Sequence, residues 1–181
     1  MRTPPLRLRN HLAETILLAL GDESARRQLE AQDFAWLAGA PADQAAIVSA
    51  RARRASEALA ACPTTPGPSS VDEALAAAAT LFDAGLYFEV HELLEPHWVN
   101  ARGAEREALQ GLIQVAVAFQ HLDNGNVEGA RSLLIEGSAR LRRGQLRGLV
   151  LTDFADVAGA AASRLDDPIT VPPFPRISRR T

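Results

Sequence analysis

The chain carries the stretch YFEVHELLEPHW at residues 87–98 and, shortly after it, LQGLIQVAVAFQHL at residues 109–122. Apolar residues recur in both at the spacing of an α-helix, but polar residues interrupt the faces that a core helix keeps apolar. The residues that share a face, at about 100° per residue, are His91, Glu95 and Trp98 in the first helix, and Gln110, Gln114 and His121 in the second. Because a buried polar group needs a partner, these faces indicate either a structural network or a functional site.

The composition of the 181 residues favours an all-α protein. Apolar residues make up 47% and aromatic residues only 5%, and the strong helix formers alanine and leucine dominate. The formal net charge of −3 argues against nucleic acid or an anionic membrane as a partner. A single cysteine, Cys62, excludes an intramolecular disulfide and a multi-cysteine zinc site. No apolar run is long enough to cross a bilayer and no signal-peptide core is evident, which predicts a cytoplasmic location.

Proline and glycine divide the chain into four predicted parts. These are an N-terminal helical region at 1–62, a proline-rich linker at 63–70, a helical core domain at 71–167 and an extended tail at 168–181. The predicted helices cover residues 10–20, 22–38, 42–61, 71–84, 86–100, 104–122, 127–142 and 153–165. We expect the tail to lie against the helices through Phe174 and Ile177.

Several helix ends are marked in the sequence. Asp22 and Asp43 are predicted to cap the second and third helices at their N-termini. Ser70 is predicted to cap the fourth helix, with Glu73 completing a capping box. Gly85 is the left-handed residue expected after a helix end.

The sequence resembles itself at an offset of 40 residues. Asp-Ala-Gly at 83–85 corresponds to Asp-Asn-Gly at 123–125, and the double leucine at 93–94 corresponds to another at 133–134. Repeated helical hairpins give such a pattern, and chance similarity between alanine-rich helices is the alternative. We therefore predict an all-α helical bundle with tetratricopeptide-like helical hairpins.

His91 and Glu95 lie one helical turn apart, a spacing that suits three roles. In the first, His91, Glu92 and Glu95 ligate a divalent metal. In the second, His91 is a catalytic base and Glu95 orients its ring. In the third, His91, Glu95, Gln110 and Gln114 satisfy one another between two packed helices.

Trp98 and His121 complete the polar set. Trp98 is expected in the core, as is usual for tryptophan at helical spacing. His121 stands about 10 Å along the helix axis from Gln114. We therefore expect it to lie near the end of the 71–84 helix rather than to share a metal ion with His91.

A longer pattern of polar, aromatic and glycine residues runs through residues 71–141. Its members are Phe82, Gly85, Tyr87, Phe88, His91, Glu92, Glu95 and Trp98, then Gln110, Gly111, Gln114, Ala116 and His121, then Gly125, Asn126, Gly129 and Ala130. This pattern resembles a bacterial and archaeal family known as domain of unknown function 309. The resemblance implies a compact all-α fold and no established activity.

Two functions follow as expectations. The first is a non-enzymatic binding or interaction module, in which a buried His/Glu/Gln network lies beside a groove for a small molecule or peptide. The second is a metal-binding or acid–base hydrolytic enzyme that uses His91 and Glu95. The N-terminal region is expected to pack on the core or to mediate homo-oligomerisation.

Overall fold

The computed structural model describes residues 3–62, 68–146, 148–165 and 170–176. Over these ranges the chain forms eight α-helices and no strand, which confirms the predicted all-α fold. The helices are α1 (Leu6–Leu18), α2 (Glu23–Ala31), α3 (Ala42–Ala60), α4 (Val71–Asp83), α5 (Tyr87–Asn100), α6 (Gly103–Asp123), α7 (Val127–Arg143) and α8 (Thr152–Ala162). None of the helices in these ranges combines the length and the apolar character that crossing a membrane requires.

Most of the predicted helix starts are confirmed. The Asp22 carboxylate accepts a hydrogen bond from the Ala25 amide at 2.8 Å, and Ser70 and Glu73 form the predicted capping box. The prediction for Asp43 is wrong. Helix α3 follows Pro41, and Asp43 lies within its first turn, where its charge favours the helix dipole instead.

The predicted helix over 22–38 is confirmed at its start but is too long, because α2 ends at Ala31. Gln32 adopts a left-handed conformation with φ of 52°, which turns the chain. After the turn, Phe34 is buried and stacks on Trp36 with 4.9 Å between ring centroids. The packing of these two rings stabilises the interruption of the helix, against the helix propensity of the segment.

Two turns of the core have the same backbone at the predicted offset. Helices α4 and α6 end at Asp83 and Asp123, and the following helices begin at Tyr87 and Val127. Gly85 and Gly125 both have a positive φ, of 71° and 78°. Only glycine adopts this conformation without strain, so both turns depend on it. A tetratricopeptide-like repeat beyond these turns stays a prediction.

Glycine also allows the close packing of α6 on α7, the most extensive helix pair of the fold. A Cβ built on Gly111 would lie 2.7 Å from Leu141 Cγ and 2.9 Å from the carbonyl oxygen of Gly137. Both distances are too short for carbon, so any larger residue at Gly111 would separate the helices.

Phe82 lies at the centre of the core. Its ring contacts four other aromatic rings at centroid distances of 5.1–5.7 Å, namely those of Tyr87, Phe119, Phe154 and Phe174. The predicted attachment of the tail through Phe174 is confirmed, because that side chain is buried and its amide donates to Asp83 Oδ1 at 2.9 Å. Ile177 lies outside the described residues, as does most of the predicted linker.

The N-terminal helices pack on the core: α1 contacts α5, and α3 contacts α4. A buried ion pair crosses this contact, in which Arg51 Nη2 of α3 donates to Glu89 Oε2 of α5 at 2.9 Å. The two side chains are only 3% and 1% exposed. Arg51 Nε and Glu89 Oε1 have no further hydrogen-bond partner among the described residues. Each charge therefore relies on the other.

Removing one member of this pair should destabilise the fold strongly. In Glu89→Ala, Arg51 stays buried without its counter-charge, and we expect a loss of about 3–5 kcal/mol in the free energy of unfolding, measured by urea denaturation. The exposed Glu14 of α1 gives a matched control, whose alanine variant should change stability by less than about 0.5 kcal/mol.

The apolar double variant Arg51→Met/Glu89→Leu separates lost charge pairing from lost packing. It should recover most of the stability, because it leaves no buried charge. A Glu89→Ala variant as stable as Glu14→Ala would contradict the proposed role of the pair.

Tyr87 gives a second test, at alkaline pH. Burial raises its pKa to about 12, and the negative charge of Asp123 adds to the increase. The unfolded chain therefore loses this proton first, near pH 10. The stability that protonated Tyr87 gives the folded state is intact below about pH 10 and is lost between about pH 10 and 12. Because the chain has one tyrosine, tyrosinate absorbance reports it alone. Tyr87→Phe should remove this loss of stability; a folded-state midpoint near the ordinary value of 10.0 would contradict the argument.

Candidate functional site

A cleft of about 470 Å³ lies where α1, α5 and the α6–α7 turn meet. Its lining comes from three separate parts of the sequence. The lining residues are Arg9 of α1, Phe88, His91 and Glu92 of α5, and Val117, Gln120, His121, Asn124 and Asn126 of α6 and the following turn. The cleft therefore joins residues from both polar stretches, and the N-terminal region contributes to it.

Helix α5 places three side chains in this cleft. The turn at Gly85 sets the start of the helix. Phe88 and His91 are three residues apart, so their side chains are neighbours on the helix surface. The rings of Phe88 and His91 lie 6.2 Å apart between centroids. The Arg9 guanidinium carbon lies 4.0 Å above the centroid of Phe88, in cation–π geometry. Phe88 therefore holds Arg9 beside the histidine.

The His91 ring is oriented by Glu92, and this corrects the expected roles. His91 Nδ1 lies 3.0 Å from Glu92 Oε1, whereas His91 Nε2 lies 3.9 Å from Glu95 Oε2, beyond hydrogen-bond distance. Because a carboxylate only accepts, the neutral ring carries its proton on Nδ1. This leaves the Nε2 lone pair as an acceptor beside Glu95.

His121 has the opposite arrangement. The Asn126 side-chain oxygen accepts from the Gly129 amide at 3.0 Å, so the side-chain nitrogen faces His121 Nδ1, at 2.6 Å. That nitrogen can only donate, so His121 Nδ1 accepts and the neutral ring carries its proton on Nε2. A Cβ built on Gly129 would lie 2.5 Å from His121 Nδ1. Glycine at this position makes room for the ring.

The structure therefore revises the expected environment of His121. We expected it near the end of α4, away from His91. It lies beside Asn126 and lines the same cleft as His91. One cleft therefore reaches both histidines.

The buried network that was to join His91, Glu95, Gln110 and Gln114 is not formed. His91 and Glu92 are part-exposed, at 29% and 38%, and Glu95 is 48% exposed. Gln114 donates to Glu136 of α7 at 3.0 Å instead, and half-buried Gln110 also lies away from the cleft. Gln114 is therefore directed toward α7 rather than toward His91.

Trp98 also lies away from the cleft. It is half-buried, and the Arg106 guanidinium carbon lies 4.1 Å above its ring centroid. Its contact with the core is as expected for a packed tryptophan.

Sequence reasoning did not identify Glu89 and Arg9, for different reasons. Glu89 lies three residues after Leu86 and four before Leu93, both buried, so helical spacing alone indicates a carboxylate on the apolar face. Arg9 had no comparable signal. It stands 79 positions before Phe88, and only the packing of α1 on α5 brings them together.

One group in the described part of the chain has three side chains suited to a metal ion. One ligand atom from each of His91, Glu92 and Glu95 lies within 4.8 Å of the others. The 3.9 Å between His91 Nε2 and Glu95 Oε2 is shorter than two ligand bonds of about 2.0–2.2 Å end to end, so both atoms can reach one ion. Glu92 would have to share its carboxylate between the ion and His91.

Comparison with known proteins supports the resemblance. Residues 75–133 match the model of a family described as "Domain of unknown function (DUF309)". This segment holds α5 and α6 and the cleft residues they contribute, but neither Arg9 nor Arg51. No curated protein and no solved structure matches the chain.

The opposite tautomers of the two histidines are a testable feature. We expect long-range proton–nitrogen NMR spectra, recorded at a pH where both rings are neutral, to show the His91 proton on Nδ1 and the His121 proton on Nε2. In Glu92→Ala the His91 ring loses its acceptor and should shift toward the Nε2-protonated form that a histidine side chain without a partner prefers.

Glu95→Ala is the matched control, because Glu95 makes no hydrogen bond to the ring. It should leave the His91 tautomer unchanged. Equal responses to the two substitutions would show that Glu92 does not orient the ring.

Proposed function

We propose that this chain is a binding module whose cleft takes a small polar molecule or the end of a peptide. One observation carries the proposal: three separate segments bring polar side chains together around one concave surface with apolar groups among them. Phe88 and Val117 supply the apolar contact, and Gln120, Asn124 and the two histidines supply hydrogen-bonding groups. A concave site with apolar lining and a few convergent polar groups is typical of ligand binding.

The arrangement of α5 supports binding in a second way. His91, Glu92 and Phe88 come from one rigid helix, and Arg9 is held in place by its stacking on Phe88. A preorganised site loses less entropy when its ligand binds. The cleft therefore has the rigidity expected of a recognition surface.

A metal-dependent or acid–base hydrolytic role of His91 and Glu95 is the second candidate. It is favoured by the His91 Nε2 lone pair, which Glu92 leaves available by binding the proton on Nδ1. A histidine oriented through one nitrogen by a carboxylate is the usual arrangement of a ligand or base. A cytoplasmic location and homo-oligomerisation stay predictions.

Filling the cleft tests the first candidate. The half-buried Val117 lines the cleft, so Val117→Phe should occupy part of it and weaken binding of any compound found in an NMR screen of amino acids, dipeptides and small acids. Val99→Phe is the matched control, because Val99 is 52% exposed and lies outside the cleft. Binding that responds equally to both substitutions would place the ligand elsewhere and contradict the proposal.

Elemental analysis separates the second candidate from the first. Protein purified without chelator should carry no stoichiometric metal if the cleft is a metal-free recognition site. Stoichiometric metal that is lost in His91→Ala and retained in His97→Ala, a histidine of the same helix outside the three-residue group, would favour the metal-dependent role instead.

A further inference from the structure

We infer that the ligand of this cleft carries an oxyanion, a carboxylate or phosphate group, and that Arg9 of the N-terminal helix is the residue that selects it. The inference rests on the proposed binding function and adds the chemical class of the ligand. It also assigns a role to a helix that lies outside the family segment at 75–133.

The first step is the charge of Arg9. A guanidinium is always charged, yet no carboxylate among the described residues forms an ion pair with Arg9. Its side-chain hydrogen bonds run from Nε and Nη2 to one neutral acceptor, Asn10 Oδ1, each at 3.3 Å. Phe88 holds the cation but does not neutralise it. The half-buried charge therefore favours an external anion.

The second step is the geometry of the remaining donors. Asn10 takes the edge of the guanidinium formed by Nε and Nη2. This leaves both hydrogens of Nη1 and one of Nη2, which together form the end-on fork of the group. A carboxylate or phosphate can accept from two such N–H groups at once, whereas a lone carbonyl oxygen cannot match the fork.

The third step concerns the acceptors of the cleft beside the α6–α7 turn, three of which are already occupied within the fold. Asn124 Oδ1 accepts from the Thr3 amide at 2.9 Å, and Asn126 Oδ1 accepts from the Gly129 amide at 3.0 Å. His121 Nδ1 accepts from Asn126. Two hydrogen-bond donors of these residues stay available to a ligand, the Nδ2 group of Asn124 and the Nε2–H of His121. These two donors favour a ligand that brings acceptors.

One acidic residue, Glu92, lines the cleft and opposes an anion that approaches it. Its carboxylate accepts the Nδ1 proton of His91 and belongs to α5. The donor groups of Asn124 and His121 belong to the other wall, at the α6–α7 turn. The oxyanion is therefore expected between the Arg9 guanidinium, which lies over Phe88, and the donor groups of Asn124 and His121, away from the Glu92 carboxylate.

The test is an NMR titration of the full chain with succinate and, separately, with inorganic phosphate, at constant ionic strength. We expect saturable shifts at the Arg9 side chain, the Asn124 amide group and His121 with at least one of the two anions. Arg9→Gln should weaken binding at least about tenfold, because it removes a charged, two-point contact. Arg9→Lys should lose part of the affinity, since it keeps the charge without the fork.

Arg7→Gln is the matched control, an exposed arginine on the same helix outside the cleft. It should bind as the unchanged protein does. A response to Arg7→Gln equal to that of Arg9→Gln, or shifts centred on the arginines at the end of α7, would indicate general attraction of anions and overturn the inference. The urea midpoint of each variant checks that the fold is intact.

Neutral compounds that carry no carboxylate or phosphate, such as small primary amides, separate this inference from the proposed function when they are screened in the same way. Neutral compounds that bind in the cleft and are lost in Val117→Phe, together with no saturable response to either anion, would keep the binding module and reject the oxyanion. If neither the anions nor the neutral compounds respond to Val117→Phe, both proposals fail.

Discussion

The buried pair of Arg51 and Glu89 fixes how the N-terminal helices sit on the core. An unpaired charge in the interior costs several kcal/mol, so sliding α3 along α5 by even one residue is opposed by both groups at once. Helix α1 packs on both α3 and α5, so the ion pair that joins α3 to α5 also bears on the position of Arg9 above Phe88. The geometry of the cleft thus depends on the Arg51–Glu89 ion pair, which lies outside the cleft.

Helix α5 connects the two features through its own geometry. Glu89 and His91 are separated by about 200° around the helix axis, so one points into the contact with α3 while the other reaches the cleft. Since an α-helix is stiff over so short a distance, fixing the rotation of the buried face also fixes the exposed one. The same turn of helix therefore sets the register of the N-terminal region and aims the histidine, and Glu89 is the one charged residue buried on a helix face that is otherwise apolar.

Local chemistry made much of this structure predictable. The capping box at Ser70 and the left-handed glycine at Gly85 are decided within a few residues, and the sequence pattern located both. The end of α2 was not predictable in the same way, because after the turn at Gln32 the Trp36 ring stacks on His11 of α1, a contact between distant parts of the sequence. In the site, helical spacing correctly grouped His91 with its two glutamates, but which glutamate holds the ring depends on side-chain rotamers that spacing does not determine. Arg9 depends on tertiary docking alone.

The polarity of the cleft depends on which of its hydrogen-bond donors and acceptors already have partners within the protein. At the α6–α7 end, backbone amides and an asparagine have used three of the acceptors, so donors remain. On α5 the reverse holds, because His91 Nδ1–H donates a hydrogen bond to Glu92 and Nε2 keeps a lone pair beside Glu95. An anion suits the first end and a cation suits the second, so the two candidate functions concern different walls rather than competing for one set of atoms. A cation held by His91 and Glu95 would in turn offset the charge of Glu92, which is the main repulsion that an oxyanion meets in this cleft.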